Sequence, residues 1–246
     1  MKRREALIAA LTLLFVWQVL AMVVNLAILP APLKVFGVFF QELQNGLSNH
    51  FVFSLWRVLA GMALSVVVAT PVGLVIGGSE SLNRIFSPFI YLLYPIPKVV
   101  FVPVVILFLG IGDTAKIAIM FLILFFQIVV LVRDQAAGLP PQLIQSLHSL
   151  GAGRRALFRF VYLPASLPAI LTALRQSIGT AVAVLYITEL SATKYGLGYY
   201  IYYNGSTLLD YPAMYAGVMA MSLLGLGMYF TVDWLERKWC PWKFLT

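Results

Sequence analysis

Charged residues and cysteine are scarce in this sequence. Asp, Glu, Lys and Arg make up only 11% of the 246 residues, whereas 61% of the residues are hydrophobic. A globular domain is about half apolar and about a quarter charged, so this much apolar surface cannot be buried in a soluble fold of that length. The surrounding solvent is therefore predicted to be a lipid bilayer. The single cysteine, Cys240, excludes an internal disulfide and a CxxC metal site.

The period-two alternation of membrane barrel strands is also lacking. A bilayer admits only helices and closed barrels, because every buried backbone group must find its partner within the protein. Here the apolar runs are continuous and about twenty residues long, which is the length that a helix needs to cross. We predict an all-α integral membrane protein, a single transmembrane domain over residues 1–246, with about six spanning helices. The predicted spans are approximately 7–29, 52–77, 86–109, 114–132, 165–190 and 213–233.

Most basic residues lie in the breaks between the apolar runs, and the net charge is +8. An excess of Lys and Arg in cytoplasmic loops is typical of inner and plasma membranes. Lys2, Arg3 and Arg4 therefore predict a cytoplasmic N-terminus, and an even number of spans places Arg237 and Lys238 on the same side. A nucleic-acid partner is not expected, because it would need a basic groove with interleaved aromatic side chains.

No acidic residue occurs between Asp134 and Glu189. The first part of this segment, a loop over residues 134–164, contains the stretch "GLPPQLIQSLHSLGAGRR". Pro140 and Pro141 suit the first turn of a helix, and Gly151 suits its left-handed end. A helix of about nine residues is far too short to cross a membrane and is marginal alone in water. It is either a connector packed on the protein's own helices or a helix that docks into a groove on a cytoplasmic partner.

The residues that follow this helix resemble a known motif. After nine further residues, Gly151 is followed by Val161, Tyr162, Leu163 and Pro164. This spacing resembles the EAA loop of ABC importer permeases, which reads E-A-A, three residues, Gly, nine residues, I-x-L-P. The stretches "LGAGRRALFRFVYLPASLPAI", "SLWRVLAGMALSVVVATPVGLVIGGS" and "YGLGYYI" are similar to the nitrate, sulfonate and taurine branch of that family, so the resemblance covers most of the chain. Where the family has E-A-A, this sequence has Gln-Ser-Leu.

The resemblance implies a type I ABC importer permease fold in a bacterial inner membrane, with both termini and a coupling helix in the cytoplasm. It also implies a second permease copy in a homodimer, ABC ATPase subunits that hold the ATP and Mg²⁺, and an extracytoplasmic solute-binding protein. The chain itself would be a transport subunit without catalytic residues, cofactor or metal. Leu147 and Leu150 are expected to contact the ATPase. The full set of expected coupling residues is Gln145, Ser146, Leu147, His148, Leu150, Gly151, Val161, Leu163 and Pro164.

Three prolines, Pro95, Pro97 and Pro103, interrupt the predicted span 86–109. Each removes a helical hydrogen bond, which backbone at membrane depth tolerates only where it lines a cavity or is buried in protein. Lys98 lies among them, and Arg175 lies well inside the span 165–190. Such cations normally face a cavity or a partner. They either give a pathway a positive potential for an anion, or pair with Glu189, or reach to an interface. The pathway candidates are Pro95, Pro97, Lys98, Arg175 and Glu189.

The transported solute and the transport class remain open at this point. The resemblance implies a small organic or inorganic anion such as a sulfonate, taurine or nitrate, with pyrimidine or flavin precursors as the alternative. A secondary transporter or channel without an ATPase would need intramembrane carboxylates or ion sites, and Glu189 is the one acid near a span interior. A membrane enzyme would need a paired nucleophile and base, which the sequence does not offer. The motif G-x-x-x-x-G-K-[ST] is absent, so a P-loop in this chain is not expected.

Overall fold

The computed structural model describes residues 3–151, 153–190 and 193–244, and the regular structure in these ranges is helical throughout. Five helical stretches are long and apolar enough to cross a membrane, and a bent pair gives a sixth if its two helices form one span. The predicted all-α fold with six or so spans is confirmed. The α-helices are α1 (Arg3–Val24), α2 (Pro32–Glu42), α3 (Ser48–Gly77), α4 (Glu80–Leu93), α5 (Val102–Leu109), α6 (Asp113–Ala137), α7 (Pro141–Ser149), α8 (Arg154–Leu157), α9 (Leu163–Leu190), α10 (Leu197–Tyr202) and α11 (Tyr211–Trp239).

The predicted span 86–109 is a broken one. Helix α4 ends at Leu93, a 3₁₀ turn occupies Lys98–Phe101, and the helical segments on the two sides of the break are bent by 76°. Pro95 and Pro97 lie in this break. Pro103 lies in the first turn of α5, where proline costs no helical hydrogen bond, so the expectation that Pro103 interrupts a helix is wrong.

The chain, expected to form a single domain, divides into two compact units. The first comprises Met1–Leu55 and Glu189–Leu224, and the second comprises Trp56–Thr188 and Gly225–Thr246. The coupling loop, the proline break, Lys98 and Arg175 all belong to the second unit, whereas Glu189 belongs to the first. Each unit is therefore described by itself below.

In the second unit, glycines bring α3 against α6. A Cβ on Gly73 would lie 2.9 Å from the side chain of Val132, and a Cβ on Gly77 would collide with the carbonyl oxygen of Arg133. The four-residue spacing of these glycines predicts close helix packing in a membrane, and this prediction is confirmed with α6 of the same chain as the partner. The end of α6, where the coupling loop begins, is thereby fixed against α3.

In the first unit, α2 and α10 are joined by a hydrogen bond. The hydroxyl of Tyr200 donates to Oε2 of Glu42 at 2.7 Å, and Tyr200 is buried. Burial, and the acceptor carboxylate beside it, raise the pKa of Tyr200. The hydroxyl therefore stays protonated and remains the donor of this bond at any physiological pH.

Candidate coupling and pathway sites

The short helix in the coupling loop has the bounds that its prolines and glycine predict. Helix α7 runs over Pro141–Ser149, nine residues. Gly151 follows it with φ of 76°, in the left-handed region that favours glycine. The predicted helix and its glycine end are confirmed.

One face of α7 packs against the protein itself. Leu139, Leu157 and Val161 form a buried cluster, and Ile144 and Leu147 of α7 pack against it. Leu147 is therefore an anchor that holds α7 to its own loop. Its side chain is only partly buried, and the expected contact of Leu147 with an ATPase stays a prediction.

The other face of α7 is open to solvent and uncharged. Leu150 is 83% exposed and Leu143 is 48% exposed, and the exposed Gln145 lies between them in sequence. The hydroxyls of Ser146 and Ser149 donate to backbone carbonyls one turn earlier in the helix, so their bonding capacity is partly used internally. We call Gln142, Leu143, Gln145, Ser146, Ser149 and Leu150 the outer face of α7. The side chain of His148 lies outside the described residues.

The far end of the loop is fastened to the membrane helices. Val161 is buried in the loop cluster, and the hydroxyl of Tyr162 donates to the carbonyl oxygen of Gly78 at 3.3 Å. Leu163 and Pro164 are exposed and begin α9. A displacement of α7 therefore acts on the start of α9 and on the turn between α3 and α4.

Lys98 holds the broken end of α4. Its Nζ donates to the carbonyl oxygens of Leu93 at 2.7 Å, Tyr94 at 2.6 Å and Ile96 at 3.2 Å. A lysine ammonium has three N–H donors, so these carbonyls can use all of them. The ammonium also lies 4.6 Å from the ring centroid of Phe126. The carbonyls of Tyr94 and Ile96 at the break are thus satisfied by this side chain, while the carbonyl of Leu93 also accepts from the N–H of Ile96 at 3.3 Å.

A cavity of about 350 Å³ borders the break. Pro97 and Lys98 line it from the broken segment, Gln127 lines it from α6, and Thr180 lines it from α9. The remaining described lining is aromatic or aliphatic, and Pro95 is not among it. The described lining therefore combines one cation, the neutral polar side chains of Gln127 and Thr180, and the hydroxyl-bearing ring of Tyr94 within a mainly apolar wall.

Arg175 is paired with acids near the C-terminal end of the chain. Its Nη1 lies 3.2 Å from Oδ1 of Asp233 and 2.8 Å from Oε2 of Glu236. Glu236 is fully buried, and its Oε1 also accepts from Lys243 at 2.6 Å and from Thr172 at 3.3 Å. Of the alternatives expected for Arg175, pairing with acids is thus favoured. Its partners are Asp233 and Glu236 rather than the predicted Glu189. The charge of Arg175 is offset by these carboxylates.

Glu189 anchors the segment before α10. It is fully buried, and it accepts hydrogen bonds from the hydroxyl of Ser54 at 2.8 Å and from the N–H of Gly198 at 2.9 Å. The backbone of Gly196 lies so close that a Cβ there would collide with the carboxylate, and the N–H of Gly196 donates to Nδ1 of His50 at 3.0 Å. These contacts give Glu189 a structural role in the first unit, and its place on a pathway stays a prediction.

Sequence reasoning missed Gln127 and Thr180 as cavity residues, and it missed the two acids that pair with Arg175. A signal existed for Gln127, because it is the one polar residue in the apolar run "FLILFFQIVVLV" of α6. Asp233 and Glu236 also lie within the last part of a long apolar helix. Acids at such positions indicate a buried cationic partner.

Clusters that could hold a metal ion are not found in the described part of the chain, where His, Cys, Asp and Glu do not gather in groups of three. The polar groups of the two sites can bind, orient and transmit force, and no nucleophile with an adjacent base is brought together among the residues described above.

Comparison with known proteins agrees with this architecture. The chain is 30% identical over 194 residues to the taurine transport system permease protein TauC of Escherichia coli (strain K12), an alignment covering 79% of this chain and 70% of the relative. It is 27% identical over 234 residues to the formylaminopyrimidine transport permease protein ThiX of Halalkalibacterium halodurans, covering 95% of this chain and 93% of the relative.

The fold is shared with a solved transporter. A chain of the inward-facing MetNI methionine ABC transporter superposes with a TM-score of 0.68 at 20% identity, covering 80% of this chain and 98% of that chain. The family model described as "Binding-protein-dependent transport system inner membrane component" matches residues 69–239, which include the break, the cavity and the coupling loop. This chain therefore belongs to the inner-membrane components of binding-protein-dependent transport systems, the permeases of ABC importers.

Proposed function

We propose that the outer face of α7 is the docking surface for a separate nucleotide-binding subunit that hydrolyses ATP with Mg²⁺. The observation that carries this proposal is the division of α7 into two faces. Its inner face is packed on the loop cluster through Leu147, whereas Leu150 on the outer face is 83% exposed and has an apolar side chain. An exposed apolar tip on a short helix is typical of a helix that lies in a groove on a partner.

The mechanical role follows from the attachments of the loop. When ATP draws the nucleotide-binding subunits together, each would displace the α7 seated on it. Because Leu147 and Val161 share one packed cluster, α7 and the start of α9 would move together. The hydrogen bond from Tyr162 to Gly78 would carry the displacement to the turn that leads into α4 and hence to the proline break.

The remaining partners are proposed from the family. We expect a homodimer of permeases, two nucleotide-binding subunits on the cytoplasmic side together with both chain termini, and a solute-binding protein on the opposite side. The family description supports the last of these, because it names transport systems that depend on a binding protein. No role for nucleic acid is proposed.

The proposed solute is a small organic anion of the sulfonate type. The relative named for taurine transport and the positive charge of Lys98 at the cavity support this choice. An uncharged pyrimidine precursor is the second candidate, because another relative is named for formylaminopyrimidine transport and because three carbonyls already occupy the donors of Lys98.

A secondary transporter that works without an ATPase is disfavoured. Coupling to an ion gradient requires an intramembrane carboxylate or ion site that changes its protonation or occupancy during transport. Glu189, the acid expected for that role, is fully buried and is held by Ser54 and Gly198.

The outer face is tested by Leu150→Asp, with Leu147→Asp as the matched control. Leu150→Asp should leave the thermal stability of the purified permease unchanged, since the side chain is in solvent, but should cut ATP-dependent uptake at least about tenfold, the loss expected for ~1.4 kcal/mol of docking energy. Uptake is measured in proteoliposomes that contain the permease, the nucleotide-binding subunit and the binding protein.

Leu147→Asp should instead lower stability, because it buries a charge among apolar side chains. Basal ATP hydrolysis by the nucleotide-binding subunit should persist with Leu150→Asp, while its stimulation by loaded binding protein disappears. Uptake that continues unchanged in Leu150→Asp, or without any nucleotide-binding subunit, would contradict the proposed function.

A further inference from the structure

Two neutral polar side chains, Gln127 and Thr180, lie next to each other in the wall of the cavity of about 350 Å³. Nε2 of Gln127 lies 3.5 Å from Oγ1 of Thr180, which is the outer limit for a hydrogen bond. Both side chains are half-buried and lie well inside α6 and α9. This contact is too weak to account for a polar pair placed inside two apolar helices.

The bonding capacity of this pair exceeds the contact between them. A glutamine amide offers two N–H donors and a carbonyl acceptor, and a threonine hydroxyl offers one donor. Polar groups without partners are costly at membrane depth and normally face water, a polar partner or a transported solute. Since both residues line the cavity, water or solute in the cavity supplies the missing partners.

The charge of the cavity wall has one sign. Lys98 is the one charged residue among the described residues that line it, and no carboxylate is among them. The three carbonyl contacts of Lys98 use its N–H donors but do not remove its positive charge. The field in the cavity therefore favours an anion and opposes a cation. The neutral hydrogen-bond donors among the described lining residues are Gln127, Thr180 and the hydroxyl of Tyr94.

We infer that Gln127 and Thr180 form a contact site for the oxyanion end, sulfonate or carboxylate, of a small organic solute, with Lys98 supplying the electrostatic bias. The amide N–H groups and the hydroxyl donate to the oxyanion, while Phe126 and Val184 enclose its apolar part. The inference rests on the proposed function only in placing this cavity on the solute's path. Such a contact site would let the permease itself discriminate against cations, in addition to any selection by a binding protein.

Charged thiol reagents test this inference without knowledge of the solute. The chain has a single cysteine, Cys240, which is buried, and burial raises the pKa of its thiol. Gln127→Cys is made together with Cys240→Ser in the full chain, in opened membranes that admit reagent from both sides. The two probes are methanethiosulfonates that carry either a sulfonate or a trimethylammonium group.

The sulfonate reagent should modify Gln127→Cys about tenfold faster or more than the trimethylammonium reagent, as expected for one charge acting at close range in a medium of intermediate dielectric. Thr180→Cys, made in the same background, should show the same preference and replaces Gln127→Cys if that variant does not fold. Adding Lys98→Gln should abolish the preference. Equal rates, a cation preference, or no modification at either position would overturn the inference.

Val75→Cys is the control position. Val75 is 50% exposed and lines another groove of about 540 Å³, which borders the cavity at Phe126. The described lining of this groove, on α3, α4 and α6, is entirely apolar. Neither reagent should modify it, because that groove offers a charged group no polar partner. The rates of thiol modification do not depend on ATP hydrolysis. A negative result with these reagents would therefore not affect the uncoupling test with Leu150→Asp, and a negative result in the uncoupling test would not affect this one.

Discussion

Replacing Glu236 with leucine should remove most of the folded permease. Glu236 is fully buried and contacts two cations, Arg175 at 2.8 Å and Lys243 at 2.6 Å. Removal of one partner from a buried ion pair leaves an uncompensated charge and costs about 3–5 kcal/mol. Here Arg175 would keep only Asp233, and the partly exposed Lys243 would lose its carboxylate partner. The total stability of a typical protein is only about 5–15 kcal/mol. The measurement is the monodisperse fraction on size-exclusion chromatography and the midpoint of thermal unfolding in detergent.

Glu80→Leu provides the matched control for this variant. Glu80 also forms an ion pair, with Arg84 at 3.0 Å, but both side chains are largely exposed. An exposed pair of this kind contributes little to stability because water screens it, so the unfolding midpoint should stay unchanged. If Glu236→Leu behaved like Glu80→Leu, the buried cluster would not stabilise the second unit, and its role as the partner of Arg175 would be wrong.

Replacing Lys98 with methionine should destabilise the protein and abolish uptake. The ammonium is the donor to three backbone carbonyls at the broken end of α4. Methionine has a similar length and no N–H donor, so the carbonyls of Tyr94 and Ile96 would lose this donor, while that of Leu93 would keep the N–H of Ile96. At membrane depth each unsatisfied group costs several kcal/mol. The break would then reorganise, and the cavity beside it would change shape.

Lys98→Arg should retain most of the stability, because a guanidinium has donors enough for all three carbonyls. Lys34→Met, at an exposed position of α2, serves as the control for removal of a lysine. Both the unfolding midpoint and ATP-dependent uptake are measured. A Lys98→Met protein with unchanged stability would show that the ammonium does not hold the break together.

The coupling helix could be located from the sequence because its limits are local. Pro141 and Gly151 determine backbone conformation by themselves, so α7 and its left-handed end fall where these residues predict. The membrane helices could also be predicted from the sequence, since length and apolar composition suffice to recognise them. The signature from Gly151 to Pro164 is local as well, which is why it indicated the family.

Which face of α7 is buried could not be read from periodicity. Leu143, Leu147 and Leu150 have helical spacing, yet Leu147 packs inward while the other two are exposed. The inner face is selected by Leu157 and Val161, which follow the helix and fold back over it. A helix of nine residues has too few positions for its own pattern to fix this orientation.

The partners of the intramembrane charges depend on contacts distant in sequence. Arg175 contacts Asp233, which is 58 residues away in the sequence. The sequence alone did not distinguish this acid from Glu189, which was the partner predicted for Arg175. The partners of Lys98 could not be predicted from the sequence for a different reason. They are backbone carbonyls, which every residue type carries. The 76° bend at the proline break likewise depends on how those carbonyls are satisfied, whereas the prolines alone predict only that a helix is interrupted.

The most direct test of the account is photo-crosslinking from α7. A photoreactive amino acid is placed at position 150 or 143 on the outer face, or at 147 on the inner face, in the permease copurified with its nucleotide-binding subunit. If the outer face of α7 docks on that subunit, crosslinks to the subunit form from 150 and 143, whereas crosslinks from 147 form only within the permease itself. An intact complex that gave no crosslink from 150 and 143, or that crosslinked from 147 instead, would contradict the account.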